Sequence, residues 1–393
     1  PAPSLAGYTR GPMAEIEMLE GVRQAPRGEW DALVAEESPF LEWGWLAALE
    51  ERGAVSEETG CTPLPLVARE EGKLVAACPL YVKQHSEGEF VFDWSWADAA
   101  YRAGIDYYPK LLIGVPFTPV TGARFLTAKG ADRDHWVGRL ARTVREICSS
   151  NALSGAHVNF CRDDERAPLE SAGFMPRLGF QYHWQNDGFR SFDDYLASLR
   201  SKRRNQVRRE RRELDAQEIS IERHVGAAIP DELFPRMFEI YQPTIEKNPW
   251  GRLYLNRHFF DLIGERFRER LCFMVARQRQ KIIAGVLNVQ KGDSLYGRYW
   301  GAFKELRHLH FNLCYYAGVE HCIEAGLDRF EPGAGGRYKQ MRGFDATPTW
   351  SYHYLADPRL SSAVKRFLDA ERAEARHAID WYTGHTARRR GAG

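Results

Sequence analysis

At 393 residues the chain is too long for one ordinary core, and at roughly 150 residues per domain it predicts two or three domains. Lysine and arginine total 54 against 53 acids, and the net charge of +1 excludes a bulk electrostatic role of the histone or polyacid-binding kind. A hydrophobic content of 44% with 12% aromatics excludes disorder, and the longest apolar runs, Leu74–Val82 and Leu111–Val120, are about half a membrane span.

Residues 1–12 lack a basic segment followed by an apolar one, and Met13 reads as the native start. The first predicted strand is Leu64–Ala68, followed by the charged turn Glu70-Glu71-Gly72 and a second strand from Lys73. This hairpin has an echo further along the chain. Val67-Ala68-Arg69 recurs as Val275-Ala276-Arg277, and Lys73-Leu74-Val75-Ala76-Ala77 as Lys281-Ile282-Ile283-Ala284-Gly285, both at an offset of 208. Each copy then reaches a tryptophan, Trp94 or Trp300. Residues 97–130 read as an aromatic, turn-rich insertion of the kind that lines sites. Trp136, Leu140, Val144 and Ile147 predict a helix, Ala156–Phe160 a strand, and Glu165–Ala172 a helix ending at Gly173.

Ser191-Phe192-Asp193-Asp194 has capping-box spacing and predicts a helix that continues through Arg200–Arg212, where eight bases and one acid occupy thirteen positions. In the second copy, Leu313–Leu327 predicts a helix, Arg329–Glu331 a strand entering the turn Pro332-Gly333-Ala334-Gly335-Gly336, and Trp350–Leu355 a final strand. After Asp357-Pro358 a last helix presents Leu360, Val364, Phe367 and Leu368 on one face. Gly173-Phe174 and Tyr182-His183-Trp184 recur as Gly343-Phe344 and Tyr352-His353-Tyr354 at an offset of 170. Constant spacing within two separate matches predicts duplication. The expected domains are 13–188, with its insertion at 97–130, and 189–393, each an α+β unit with a mixed sheet flanked by helices.

Paired strand-hairpin, helix-strand-helix-strand repeats resemble tandem GNAT-like acyltransferase domains. Several stretches narrow this: Phe40-Leu41-Glu42-Trp43-Gly44-Trp45, Pro79-Leu80-Tyr81, Phe92-Asp93-Trp94, Tyr107-Tyr108-Pro109-Lys110-Leu111, Pro116-Phe117-Thr118-Pro119-Val120 and Tyr299-Trp300-Gly301. With Phe330-Glu331-Pro332-Gly333-Ala334, Lys339 and Arg342-Gly343-Phe344, they resemble the FemAB-like peptidoglycan biosynthesis/recognition family of predicted N-acyltransferases. The resemblance spans about residues 20–370. It implies transfer of an acyl or aminoacyl group to a small-molecule or peptide amine. Acyl-CoA or aminoacyl-tRNA would serve as co-substrate, with no tightly bound cofactor and with tRNA as a partner. It also implies a lysine at the reaction centre, here Lys339, for which Arg298 and Glu331 are candidate catalytic companions. His310, Asn312, Tyr315, Phe117, Thr118, Arg337 and Arg342 are candidate substrate contacts. Just before the lysine, Gly335 and Arg337-Tyr338 depart from the family pattern, so recognition of a cell-wall precursor without catalysis remains a second reading.

The residues themselves supply further candidates. Asp93, Trp94, Trp96, Asp98, Tyr107, Tyr108 and Lys110 combine aromatic walls with a few charges, as an acceptor pocket does. Arg203, Arg204, Arg208 and Arg209 could hold the phosphates of an anionic donor, with a solvated helix face or an RNA-binding module as the alternatives. No Arg-x-x-Gly-x-Gly phosphate loop precedes either central helix, and Thr121-Gly122-Ala123-Arg124 is a poor substitute. The chain carries no Gly-x-Ser-x-Gly elbow, His-Glu-x-x-His helix or Walker loop. His308-x-His310 lacks further ligands and no metal is expected, while His183 and His353 read as structural. Seven cysteines without a Cys-x-x-Cys pair predict reduced thiols and a cytoplasmic protein.

Overall fold

The computed structural model describes residues 9–10, 15–247 and 252–389; Met13, read above as the start, lies outside them. The first elements are β1 (Thr9–Arg10), β2 (Glu15–Met18), α1 (Arg27–Val34), α2 (Trp43–Glu50), β3 (Cys61–Pro63), β4 (Leu66–Glu70), β5 (Lys73–Cys78) and β6 (Leu80–Lys83). There follow α3 (Trp94–Arg102), β7 (Lys110–Ile113), β8 (Leu126–Thr127), α4 (Arg133–Ser150), β9 (Gly155–Cys161), α5 (Arg166–Ser171) and β10 (Met175–Gln185). Next come α6 (Phe192–Ser198), α7 (Ser201–Asp215), β11 (Ile219–Val225), α8 (Leu233–Glu246), α9 (Arg257–Arg266), β12 (Leu271–Gln278), β13 (Lys281–Lys291) and β14 (Ser294–Ala302). The last are α10 (Leu309–Phe311), a π-turn (Asn312–Tyr316), α11 (Ala317–Ala325), β15 (Arg329–Glu331), β16 (Asp345–Leu355) and α12 (Pro358–Gly384).

The chain forms two compact units, residues 1–179 with 349–376 and residues 180–348 with 377–393. They interleave in sequence rather than dividing at 188/189. In the first unit β3, β6 and β7 pair antiparallel, β7 and β9 pair parallel, and β9 pairs antiparallel with Trp350–Leu355 of β16. A second ladder joins β1, β2, β4, β5 and β8. Helix α4 starts where the Asp132 carboxylate accepts from the His135 amide, and its Trp136, Leu140 and Val144 join Leu111, Ile113 and Val158 in one buried cluster. In the second unit β11, β12, β13 and β14 pair antiparallel, β14 and β15 pair parallel, and β15 pairs antiparallel with Trp184-Gln185 of β10. Its core gathers Trp184, Tyr195, Leu199, Val207, Leu313, Tyr316 and Phe330.

The two units share one strand order once β5 and β6, consecutive strands split between the two ladders, are taken together as the counterpart of β13, and the closing strand of each comes from the other repeat's sequence. The duplication extends to single bonds. Both hairpins carry a register shift at the same place, Ala68/Arg69 and Ala276/Arg277. Both turn through two residues of positive φ, Glu71-Gly72 and Arg279-Gln280, the backbone that right-twisted strands favour in a two-residue connection. In both, the arginine Nη1 donates across the turn, Arg69 to the Gly72 carbonyl at 3.1 Å and Arg277 to the Gln280 carbonyl at 3.2 Å.

Four expectations are corrected. Trp94 opens helix α3 whereas Trp300 lies in β14, so they are not equivalent. The sheet position of β14 belongs to β7, which lies inside 97–130; the extra length of the first copy therefore flanks β7 on both sides. Helices α6 and α7 are separate, because the Arg200 amide donates to Ala387 and the Arg389 amide to Ser198, drawing this backbone out of the helical ladder. Phe367, expected on the apolar face of α12, is 45% exposed.

Candidate functional site

In the second unit, β15 ends at Glu331 and the chain enters a turn in which Gly333, Gly335 and Gly336 all take positive φ, the conformation glycine adopts without Cβ strain. That path folds the following segment back on the turn. Lys339 is 2% exposed, and its Nζ donates to the carbonyls of Gly333 and Ala334 at 2.5 and 3.2 Å. Burial, reinforced by the Arg298 cation and opposed by Cys314, lowers its pKa to about 7.

Arg298 is the extra residue where β14 bulges, since Leu287 pairs with Tyr299 and Asn288 with Gly297; bulges re-aim side chains beside active sites. The ring centroid of His310 lies 4.8 Å from that of Trp300 and 5.2 Å from that of Tyr315. Burial, with Lys339 and Arg342 nearby, brings the His310 imidazole down to about 4. Tyr315 lies in the π-turn, a distortion frequent at functional sites. Glu331 is 2% exposed, and neither carboxylate oxygen has a hydrogen-bond partner. Arg329 Nε stands 3.3 Å from Oε1 and His183 Nε2 3.8 Å from Oε2. The fold therefore brings Lys339, Arg298, His310 and Tyr315 into one electrostatic neighbourhood.

Other expected contacts serve elsewhere. Arg337 is exposed. Arg342 is buried, donating through Nη2 to both Glu210 oxygens at 2.8 and 2.9 Å, through Nε to the Tyr316 hydroxyl at 2.7 Å and through Nη1 to the Tyr338 carbonyl at 2.9 Å. Asn312 donates to the Glu210 and His308 carbonyls. Both are occupied within the protein rather than turned to a substrate. His308 contacts Glu213, and among the described residues no group of three or more His, Cys, Asp or Glu could hold a metal. All seven cysteines are free and buried.

In the first unit Asp93, Trp96, Tyr107 and Lys110 are buried together. The ammonium of Lys110 donates to Ser86 Oγ at 2.7 Å, Glu89 Oε2 at 3.0 Å and Asp93 Oδ2 at 2.5 Å, which uses all three of its protons. Tyr107 donates to Asp93 at 2.7 Å, and the Tyr108 and Ser86 hydroxyls meet at 2.8 Å. His157 and His353 face each other through Nδ1 at 2.7 Å. Trp94 is 48% exposed, and Asp98 pairs on the surface with Arg102; neither joins this cluster. Thr118 bonds its own turn at Pro116, and Phe117 is buried. Arg124 is locked onto Asn159, Val120 and Glu165, so the Thr121–Arg124 segment is no phosphate loop.

On α7, Arg208 and Arg209 are exposed, Arg203 and Arg204 half-buried. A cavity of about 610 Å³ runs between α6 and α7, lined by Phe192, Asn205, Arg208, Arg211, Arg212 and Glu320 among others. Sequence reasoning missed Glu210, although its spacing from Val207 and Leu214 places it on the buried seam of the helix. It also missed Ser86 and Glu89, which carry no periodic signal.

Strand order, bulge and buried lysine define two tandem GNAT-like units of α+β class. Residues 21–390 match the FemAB-like family, described as peptidoglycan biosynthesis/recognition, and the chain belongs to that family. No curated protein matches it. Among solved structures it is similar to FemX, at 12% identity over 86% of this chain and 98% of that one, with a TM-score of 0.51. It is also similar to the C-terminal domain of a protein from Agrobacterium fabrum named as a lysylphosphatidylglycerol synthetase, at 11% identity, 86% and 94% coverage and a TM-score of 0.54. A conserved protein of unknown function from Bacteroides thetaiotaomicron gives 11% identity, 87% and 100% coverage and a TM-score of 0.52. At these identities the likeness is one of fold. No described helix is long and apolar enough to cross a membrane.

Proposed function

We propose that the protein is an N-acyltransferase that moves an acyl or aminoacyl group onto an amine, with its reacting centre in the second unit. One observation carries this: Lys339, an amine buried at the end of a glycine-rich turn and balanced near neutral pH, where a group that donates to developing charge is most useful. As the amine attacks the donor carbonyl, negative charge grows on oxygen; its collapse breaks the ester or thioester bond and releases the tRNA 3′ hydroxyl or the coenzyme A thiol, which takes up the proton that the amine gives up. The protonated Lys339, now held by two backbone carbonyls, is placed to donate to the charged oxygen.

Aminoacyl-tRNA is the better supported donor, with acyl-CoA the alternative. The arginines of α7 suit a phosphate backbone, and no Arg-x-x-Gly-x-Gly loop of the kind that cradles a pyrophosphate precedes either central helix. The acceptor class remains an amine of a small molecule or peptide, in keeping with the family's peptidoglycan description. The test is to titrate the purified protein with charged tRNA and with acetyl-CoA at two salt concentrations and to follow transfer to amine acceptors. Salt-sensitive tRNA binding with transfer that Lys339→Met lowers about a hundredfold supports the reading. Binding of neither donor supports non-catalytic recognition instead.

A further inference from the structure

Glu210 is the single acid in the basic run of α7, and it points inward. It is 2% exposed and its partner Arg342 1% exposed. Three segments converge on this pair: α7 through Glu210, the π-turn through Tyr316, and the short turn Gln340–Arg342, which begins directly after Lys339. The Tyr316 hydroxyl accepts from Arg342 and donates to Glu210, and Asn312 of the same π-turn donates to the Glu210 carbonyl at 3.1 Å. The Arg342 guanidinium also lies 3.6 Å over the Phe311 ring. Burying two ions costs several kcal/mol of desolvation each, which an apolar trio would avoid. What the ionic trio supplies is direction, since a guanidinium meeting both carboxylate oxygens fixes the angle as well as the distance.

We propose that Glu210, Tyr316 and Arg342 are positioning residues that hold the arginine-bearing helix α7 in register with the turn that carries Lys339. This rests on Lys339 being the reacting group. Burial pushes the Glu210 carboxyl up, but hydrogen bonds from Tyr316 and Gln206 and the Arg342 cation outweigh it and hold the group below its ordinary value, so the tie stays ionic at neutral pH. A cavity of about 440 Å³ opens beside the junction, lined by Arg211, Asn312, Tyr316 and Glu320 among others.

The experiment is trace acetylation of the full chain with acetic anhydride from pH 5 to 10, reading each lysine by peptide mass spectrometry. It compares wild type, Tyr316→Phe and Glu210→Gln after their folding is checked by circular dichroism. Tyr316→Phe keeps the ring and removes only the hydroxyl. In wild type Lys339 titrates near 7; in either variant the freed turn re-exposes the amine, and its midpoint moves at least one unit towards the ordinary lysine value of about 10.4. Lys129 of the other unit, which is exposed, stays unchanged and serves as the internal control. Folded variants in which Lys339 titrates as in wild type overturn the positioning role. Transfer assays on Lys339→Met separate the two failures. Lost transfer beside an unmoved titration removes the positioning role alone, while full transfer removes the reading of Lys339 and the positioning role with it.

Discussion

The ammonium of Lys110 lies 2.5 Å from Asp93 Oδ2, and both side chains are sealed from solvent, at 0% and 2% exposure. Burial alone would raise the Asp93 carboxyl, but the lysine overrides it and brings the value down to about 2. Lys110→Met leaves Asp93 and Glu89 buried without their cation and is expected to cost about 3–5 kcal/mol. Asp98→Ala, which breaks an exposed pair, costs about 0–1 kcal/mol. Urea denaturation of both proteins measures the contrast, and a Lys110→Met loss below 1 kcal/mol would show that the cluster is not a structural tie.

The duplicated hairpin offers a stabilising change. Gln280 takes φ 65° where the first repeat has Gly72 at φ 79°, and a side chain in that conformation costs roughly 1–2 kcal/mol. Part of this returns through the greater freedom of glycine in the unfolded chain. Gln280→Gly is therefore expected to stabilise by about 0.5–1 kcal/mol in thermal melts, with the Arg277 bond to the turn carbonyl kept. A destabilised variant would mean that the Gln280 side chain makes a contact worth more than the strain.

Acid should weaken the first unit before carboxylates titrate. Burial, with the Lys110 cation, lowers His157 to about 3, and burial, with His157, takes His353 well below its usual value. The unfolded chain binds protons on both near pH 6.5 while the folded chain does not, so their contribution is complete above that pH and drains away as pH falls. The slope is up to about 1.4 kcal/mol per pH unit for each ring. His353→Gln keeps a hydrogen-bonding side chain and removes one proton site. The stability gap between wild type and variant should therefore shrink from pH 7 to pH 5 in urea titrations; a constant gap would contradict the buried neutral pair.

How much of this could be read from the sequence depended on the range of the interaction. The hairpins were legible because turn, bulge and arginine bond all lie within a dozen residues, and equal local sequence gives equal local structure. Strand β7 was hidden because Lys110–Ile113 is buried at every position and shows no alternation, so it passed for part of an aromatic insertion. The exchange of closing strands was illegible for another reason. Tyr182-His183-Trp184 and Tyr352-His353-Tyr354 carry nearly the same pattern, so only the three-dimensional path of the chain decides which sheet each one joins. In the candidate site, Lys339 was reached through the family resemblance of the stretch that follows the glycine turn, whereas Arg342 looked like a substrate contact until its partner on α7 was visible.

The arginines of α7 should act on donor affinity rather than on folding. Arg208 stands 4.0 Å from Asp193 and Arg209 3.7 Å from Glu213, with side chains 53% and 56% exposed, so neither pair contributes much to stability. Replacing Arg203, Arg204, Arg208 and Arg209 by glutamine is expected to flatten the logarithmic salt dependence of tRNA binding by about 0.7–0.9 per lost phosphate contact. Affinity and salt slope unchanged at low salt would assign the run to a solvated helix face.

Lys339 makes the sharpest demand on pH. If its protonated form donates to the developing oxyanion, transfer should fall on the alkaline side with a midpoint near 7, the value that burial imposes. Lys339→Arg keeps a permanent charge and should lose that alkaline limb even at a reduced rate. Lys339→Met should lower kcat/KM by about a hundredfold across the whole range. Stability supplies an independent check. The folded value lies far below the roughly 10.4 of an unfolded lysine, so between those pH values the unfolded chain binds the extra proton. Wild-type stability therefore rises with pH across that window and falls back as pH drops towards 7. Lys339→Met has no such proton, so its melting temperature relative to wild type should be more favourable at pH 7 than at pH 10. A difference in melting temperature that does not change between these two pH values would place the amine in water and remove Lys339 from the reaction.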